Sequence, residues 1–289
     1  MEFSQLVMFK TVAEQGSIIE ASRILHCVPS NITNRIKLLE SELGVALFIR
    51  KGRGLVISPS GTVFLGYTNR ILALCQEASR ALDPDSVPTG ILRIGAIESS
   101  ATGRLPVFLS KYKQHYPSVQ MRLSTGTWSQ LVAEVAEHKL DGAVIAVKCD
   151  HPDIDHMEIY QEPLVLIASP ALGKITKPQD LDGHNLFMWP EGCPYRHSLE
   201  CWLNESRVTS AITSIASYGT ILGCVSSGAG VSLVPAGVFE RFKNIGNISG
   251  YRFADLAPVQ NYFIWNKNTG FHRSKDVFAE LLRSEFTDV

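Results

Sequence analysis

Over the first sixty residues, apolar positions recur at three- and four-residue intervals in three short blocks, with no alternating pattern before about Leu47. Leu6, Phe9, Val12 and Ala13 predict a first helix that Gly16 stops. Ser17 then opens a second, with Glu20 three residues on as in a capping box, and Ile18, Ala21, Ser22 and Leu25 on its inner side. After a break at 26–28, Pro29 suits a first helical position, because the N–H it lacks would be unpaired there anyway. The third helix runs to about Leu43, before Gly44, with Ile32, Ile36, Leu39 and Leu43 inward. Its outer face carries Ser30, Asn31, Thr33, Asn34, Arg35 and Lys37. Two short helices across a tight turn, the second with short polar and basic groups outward, predict a helix-turn-helix whose second helix enters the major groove of DNA.

The period then changes. Residues 47–50 and 55–57 read as strands around Lys51-Gly52-Arg53-Gly54, a hairpin or wing with Arg50, Lys51 and Arg53 at a tip that can reach phosphates or a minor groove. From Ser60 to about Leu82 no proline intervenes. Phe64, Tyr67, Ile71, Leu74, Ala78 and Ala81 are spaced as an a/d seam, which predicts a long helix that pairs with a second copy. Residues 83–90, with two prolines and a glycine, read as a hinge. Beyond it strands alternate with helices: strands near 91–95, 120–124, 141–147, 164–168, 212–215, 232–234 and 260–265, with helices near 105–115, 128–137, 195–205, 220–227 and 274–284. That alternation implies crossovers and a parallel sheet.

In open α/β sheets ligands lie beyond the carboxyl ends of the strands, where helix starts present free N–H groups. Ser99 and Ser100, Thr127 and Trp128, and Ser217 and Tyr218 fall in such turns, and with Tyr195 and Arg196 they form a candidate pocket for a small anion, a carboxylate above all. Ser and Thr at helix starts are also ordinary caps.

Composition narrows the class without changing this picture. Among 289 residues, 27 Lys plus Arg face 28 Asp plus Glu, which excludes a general polycation. Residues 1–60 hold seven basic (Lys10, Arg23, Arg35, Lys37, Arg50, Lys51, Arg53) and five acidic side chains (Glu2, Glu14, Glu20, Glu40, Glu42), so the placement of charge at the wing matters more than its sum. No long apolar run or signal-like start is present, and a cytoplasmic protein without membrane contact is expected. Cys27, Cys75, Cys149, Cys193, Cys201 and Cys224 form no C-x-x-C pair, and neither disulfide nor structural metal is expected. The acidic and histidine-bearing stretch 150–156 reads as a solvated turn rather than a metal site. Cys193, beside a cation, is a candidate redox sensor. No nucleophile and base stand at a recognisable spacing, so no enzyme is expected.

The whole chain resembles a LysR-type transcriptional regulator. The resemblance rests on FKTVAEQGS at 9–17, on 21–25, on Leu38-Leu39-Glu40 with Glu42-Leu43-Gly44, on Leu47-Phe48-Ile49-Arg50 with Gly52-Arg53, and on Ser58-Pro59-Ser60-Gly61. Later come Leu92-Arg93-Ile94-Gly95, Tyr116-Pro117, Leu140-Asp141 with Ala143, and 228–235 (GAGVSLVP). The resemblance implies a winged helix-turn-helix domain (1–59), a dimerising linker helix (60–82), the hinge (83–90) and an effector domain (91–289) of two Rossmann-like lobes similar to periplasmic binding proteins. Lobe I would hold about 91–161 and 266–289, and lobe II about 162–265. It implies operator DNA and a small-molecule effector in the interlobe cleft as partners, a homodimer or homotetramer, and RNA polymerase as a further partner, with no cofactor. Val28 and Pro29 stand where the family usually carries Ser or Thr and then Gln, so base contacts fall to Ser30, Asn31, Thr33 and Asn34. The alternatives are a redox-responsive regulator acting through Cys193 and a solute-binding receptor with no DNA role.

Overall fold

The computed structural model describes residues 1–51, 54–81, 87–244 and 246–287. Arg53, residues 83–86 of the expected hinge and the side chain of Lys51 lie outside the described part. Two compact units are present, one comprising Met1–Ser86 with Glu137–Lys139 and Asn268–His272, the other Val87–Ala136, Leu140–Lys267 and Arg273–Val289.

In the first unit, α1 (Phe3–Gln15), α2 (Ile18–Ile24) and α3 (Pro29–Leu43) precede the antiparallel hairpin β1 (Phe48–Lys51) and β2 (Gly54–Ile57), and α4 (Pro59–Ala81) follows. Gly16 and Gly44 end their helices at φ 61° and 69°, the left-handed conformation that glycine adopts without a Cβ clash. Ser17 caps α2 by accepting from Glu20 N, but the reciprocal half of the capping box is not made. Glu20 turns its carboxylate to Arg23 instead, 2.6 Å away. Phe9, Val12, Ala21, Ile32 and Leu39 are fully buried, and Phe9 packs against Phe48 and Phe64 with ring centres 5.4 and 5.2 Å away.

The junction between α3, the wing and α4 is tied by side chains to backbone. Glu40 Oε1 accepts from the N–H groups of Leu47 (2.7 Å) and Phe48 (3.3 Å), Ser58 Oγ donates to Ala46 O (2.7 Å), and Gly61 N donates to Ser58 Oγ (2.9 Å). A Cβ on Gly61 would collide with Leu47 O and come within 2.8 Å of Ile57 Cγ1. Glycine there is a packing requirement. Along α4, Phe64 and Ile71 are half-buried, whereas Tyr67 and Leu74 of the expected seam are 58% and 62% exposed.

The second unit holds two five-stranded sheets. The first has the order β4-β3-β5-β12-β6, from β3 (Gly90–Ala96), β4 (Val119–Thr125), β5 (Gly142–Ile145), β6 (Ile154–Glu162) and β12 (Val259–Asn266). The second has the order β11-β7-β10-β8-β9, from β7 (Leu164–Ala168), β8 (Leu186–Met188), β9 (Ile212–Ser214), β10 (Val231–Pro235) and β11 (Ser249–Tyr251). Helices α5 (Glu98–Gly103), α6 (Leu105–His115), α7 (Trp128–Ala136) and α11 (Arg273–Thr287) belong to the first lobe, and α8 (Pro194–Glu205), α9 (Tyr218–Ser226) and α10 (Ala236–Phe242) to the second.

Four expectations need correction. The sheets are mixed rather than parallel, since β12 runs antiparallel to β5 and β6, and β7 antiparallel to β10 and β11. The strand expected at 260–265 in lobe II is β12, paired inside the lobe I sheet, because the chain crosses back before it. The stretch read as a solvated turn to residue 156 enters β6 at Ile154, and the supposed turn at 98–102 is helix α5 with Ser99 and Ser100 buried. For the strands, pairing with distant chain decides what local spacing leaves open.

One apolar cluster draws on both lobes, from Leu131 and Val135 of α7 to Leu199 and Trp202 of α8. Where β6 passes to β7, the buried Glu162 carboxylate accepts from Arg104 Nε (2.8 Å) and Nη2 (3.2 Å) and from Gly237 N (2.7 Å), joining α10 to the first lobe. The Arg104 guanidinium lies 5.7 Å from the Tyr160 ring centre.

Candidate functional site

Two sites emerge, one in each unit. On α3 the helix start is free of side-chain caps, and Ser30, Asn31, Asn34 and Lys37 are exposed on one side while Ile32, Ile36 and Leu39 are buried on the other. A helix presents such groups to a major groove when its inner face is fixed by a core, as Ile32 and Ile36 fix this one against Val12 and Ala21. Two of the expected contacts are already engaged. Thr33 Oγ1 donates back to Pro29 O at 3.0 Å, leaving its methyl as the free group, and the Arg35 guanidinium pairs with Glu2. Arg50 is exposed on β1.

In the second unit a cleft of about 570 Å³ opens between the lobes. The first lobe contributes residues 97–99 and 125–130, and the second contributes 189–195 and 216–218. The starts of α7, α8 and α9 all line it, but at α8 Pro194 carries no N–H and the Tyr195 and Arg196 amides donate to the Cys193 thiol, so unpaired N–H groups are left at α7 and α9, one helix from each lobe. Thr127 Oγ1 accepts from Gln130 N and Ser217 Oγ from Thr220 N, each at 3.3 Å. A hydroxyl that caps in this way still has its own proton to donate.

Of the expected pocket residues, Ser99, Thr127, Trp128, Tyr195, Ser217 and Tyr218 line the cleft. Ser100 and Arg196 do not. Ser100 Oγ accepts from Tyr160 OH at 2.9 Å and donates to Asn261 Oδ1 at 3.4 Å. The Arg196 guanidinium is spent on Glu200 (2.6 Å), Ser214 Oγ (2.9 Å) and Trp189 O (3.3 Å), with Glu191 at 3.6 Å. Proximity in sequence to Tyr195 placed Arg196 in the pocket, but the next residue on a helix points about 100° away.

The floor is a hydrogen-bonded chain between lobes. Ser99 Oγ donates to Tyr195 OH (3.4 Å), which donates to Asn261 Oδ1 (3.2 Å), the atom Ser100 also reaches. Burial pushes the Tyr160, Tyr195 and Tyr218 phenols well above their ordinary range, so all three stay protonated donors at neutral pH. Across the mouth, Trp128 Nε1 donates to Gly192 O at 3.2 Å, from the first lobe to the second. Burial also raises the Cys193 thiol, against the opposing pull of the Tyr195 and Arg196 amides and the Arg196 charge. That direction is opposite to the lowering that the cationic neighbour alone would produce.

Sequence reasoning missed Glu98, Trp189 and the Asn261 floor. Trp189 follows β8, a strand of only three residues that carries no readable period, and Asn261 arrives on the misassigned strand β12. Among the described residues no group of three or more His, Cys, Asp or Glu could hold a metal, and no helix is long and apolar enough to cross a membrane.

Comparison with known proteins agrees with both halves. Residues 3–62 match the family described as bacterial regulatory helix-turn-helix protein, lysR family, and residues 85–287 match the LysR substrate binding domain. The chain is 36% identical to the uncharacterized HTH-type transcriptional regulator YusT of Bacillus subtilis, covering 93% of this chain and 91% of that one. It is 33% identical to the HTH-type transcriptional regulator GltR of Bacillus subtilis, covering 99% and 97%. Its fold matches full-length CbnR complexed with its target DNA at a TM-score of 0.71 and 26% identity, covering 98% of this chain and 99% of CbnR. With a helix-turn-helix of matching sequence before a two-lobed effector domain, the chain belongs to the LysR family of bacterial DNA-binding transcriptional regulators.

Proposed function

We propose that this regulator reads its operator as a dimer or tetramer through α3 and the wing, and that a small anionic effector in the interlobe cleft alters that binding. One observation carries the effector reading: two helix starts, α7 from the first lobe and α9 from the second, line one cleft and have N–H groups to offer an anion. Apolar walls come from Trp128, Tyr195 and Tyr218.

On the DNA side, the reading assigns Asn34 to an adenine edge, the Thr33 methyl to thymine, and Ser30 and Asn31, at the start of α3, to the groove. Lys37, Arg50, Lys51 and Arg53 supply phosphate contacts. The exposed Tyr67 and Leu74 of α4 provide the seam of the dimer, and two reading heads on one dimer meet two half-sites.

A thermal-shift screen of the full chain against small carboxylates tests the effector reading, since ligand at 100 times its Kd adds about 2.7 kcal/mol of stability. A hit whose stabilisation is lost in Trp128→Ala supports the cleft. Stabilisation by the same acid that survives both Trp128→Ala and Ser217→Trp places the anion elsewhere and overturns the reading.

A further inference from the structure

The charged side chains that line the cleft are both acidic. Glu98 and Glu191 face it, and among the described residues no Lys, Arg or His does. Their situations differ. Glu191 is 90% exposed and lies 3.6 Å from the Arg196 guanidinium, so its charge is already countered. Glu98 is half-buried at the cleft-facing start of α5 and accepts a hydrogen bond from Thr102 Oγ1 at 3.2 Å, with no cation paired to it among the described residues. A carboxylate that faces a cleft without a counter-charge leaves an ion pair unfilled. It gains most from a ligand that brings a positive charge.

The aromatic wall is suited to the same group. Trp128, Trp189 and Tyr218 line the cleft, and the Trp189 and Tyr218 ring centres lie 5.1 Å apart at 57°. Aromatic faces attract ammonium groups most strongly where water is excluded. An anion alone would meet the helix starts but would also meet Glu98.

We infer that the effector carries a protonated amine as well as a carboxylate, with the ammonium received by Glu98 and the carboxylate by the helix starts of α7 and α9. The effector class is then an amino acid with an apolar or aromatic side chain, enclosed by Trp128, Trp189 and Tyr218. The carboxylate half of this inference rests on the cleft reading above, and the ammonium half rests on Glu98 alone.

Matched ligands separate the two halves. The full-length protein is titrated by tryptophan fluorescence, which Trp128 and Trp189 report, with phenylalanine, its deaminated acid 3-phenylpropionate and its decarboxylated amine phenethylamine. Leucine, 4-methylvalerate and isoamylamine form a second trio. In at least one trio the amino acid binds tenfold or more tightly than the deaminated acid, about 1.4 kcal/mol. Glu98→Gln removes that advantage by weakening the amino acid, while the Kd of the acid, which no longer meets a like charge, holds or tightens, and that retained acid binding also shows that the variant is folded. An acid that binds as tightly as its amino acid overturns the ammonium assignment while the cleft reading stands. An amine that binds as tightly as its amino acid overturns the carboxylate reading while Glu98 keeps its role. Failure of all six to quench or shift the fluorescence at 10 mM overturns both.

Discussion

At the level of single residues, the base-reading role proposed for Asn34 and the phosphate role proposed for Lys37 make opposite demands on specificity. Asn34→Ala is expected to cost roughly 1–3 kcal/mol on the cognate operator and nothing measurable on scrambled DNA, read by anisotropy titration of both duplexes. Lys37→Ala is expected to weaken both alike and to flatten the salt slope by about one unit. Equal losses for Asn34→Ala on both duplexes would remove it from base reading. Cysteine chemistry gives a second residue-level test. Iodoacetamide at pH 7.5 is expected to label the exposed Cys75 and Cys201 before Cys193, whose thiol burial holds in the protonated form; mass mapping with Cys193 labelled first would restore the redox alternative. At the lobe crossing, Arg104→Leu strands the buried Glu162 carboxylate with only the Gly237 amide. Because Arg104 is itself one-third exposed, urea unfolding should show a loss of about 3 kcal/mol, the low end for a broken buried pair. Neither this pair nor the Ser99–Tyr195–Asn261 chain was legible in the sequence, since their members are separated by 58 to 96 positions.

Among the elements, the helices of the DNA-binding unit were readable because their determinants are local. Gly16, Ser17, Pro29 and Gly44 sit at helix ends where backbone geometry or an unpaired N–H selects them. The strands β6 and β12 were misread for the converse reason. Their partners lie roughly a hundred residues away, from Val259 paired with Glu162 to Asn266 paired with Ile154, and local periodicity does not encode direction. Glycines inside helices show the same contrast in energetic form. Gly223 in α9 has nothing within 4 Å of its missing Cβ, so Gly223→Ala should stabilise the protein by roughly 0.5–1 kcal/mol through helix propensity. Gly61 in α4 would drive a Cβ into Leu47 O, and Gly61→Ala should reverse that sign and destabilise by about 1–3 kcal/mol. Thermal unfolding of the two variants checks the pair. Equal shifts would mean that the α4 start can move away from the wing.

For the whole molecule, the account joins three properties: association through α4, a cleft between lobes, and DNA reading through α3. Placing glutamates at both Tyr67 and Leu74, exposed on one chain, should convert a sedimenting dimer or larger assembly to monomer and weaken operator binding with it. An assembly unchanged by that double substitution would move the dimer contact off α4. The lining of the cleft was only half legible in the sequence. Hydroxyls at helix starts pointed to part of it, but the acidic and aromatic character of the walls depends on Glu98 and Trp189, which only the fold brings together. By linkage, an effector that changes operator affinity must have its own affinity changed equally by operator. The most direct test is therefore an operator titration of the full chain by anisotropy, on a duplex selected from a random-sequence pool, with and without the amino acid that binds best. The account predicts a change in operator Kd of about fivefold or more, abolished in Trp128→Ala and Glu98→Gln. An operator Kd identical with and without saturating amino acid, together with an amino-acid Kd indifferent to operator, would contradict it.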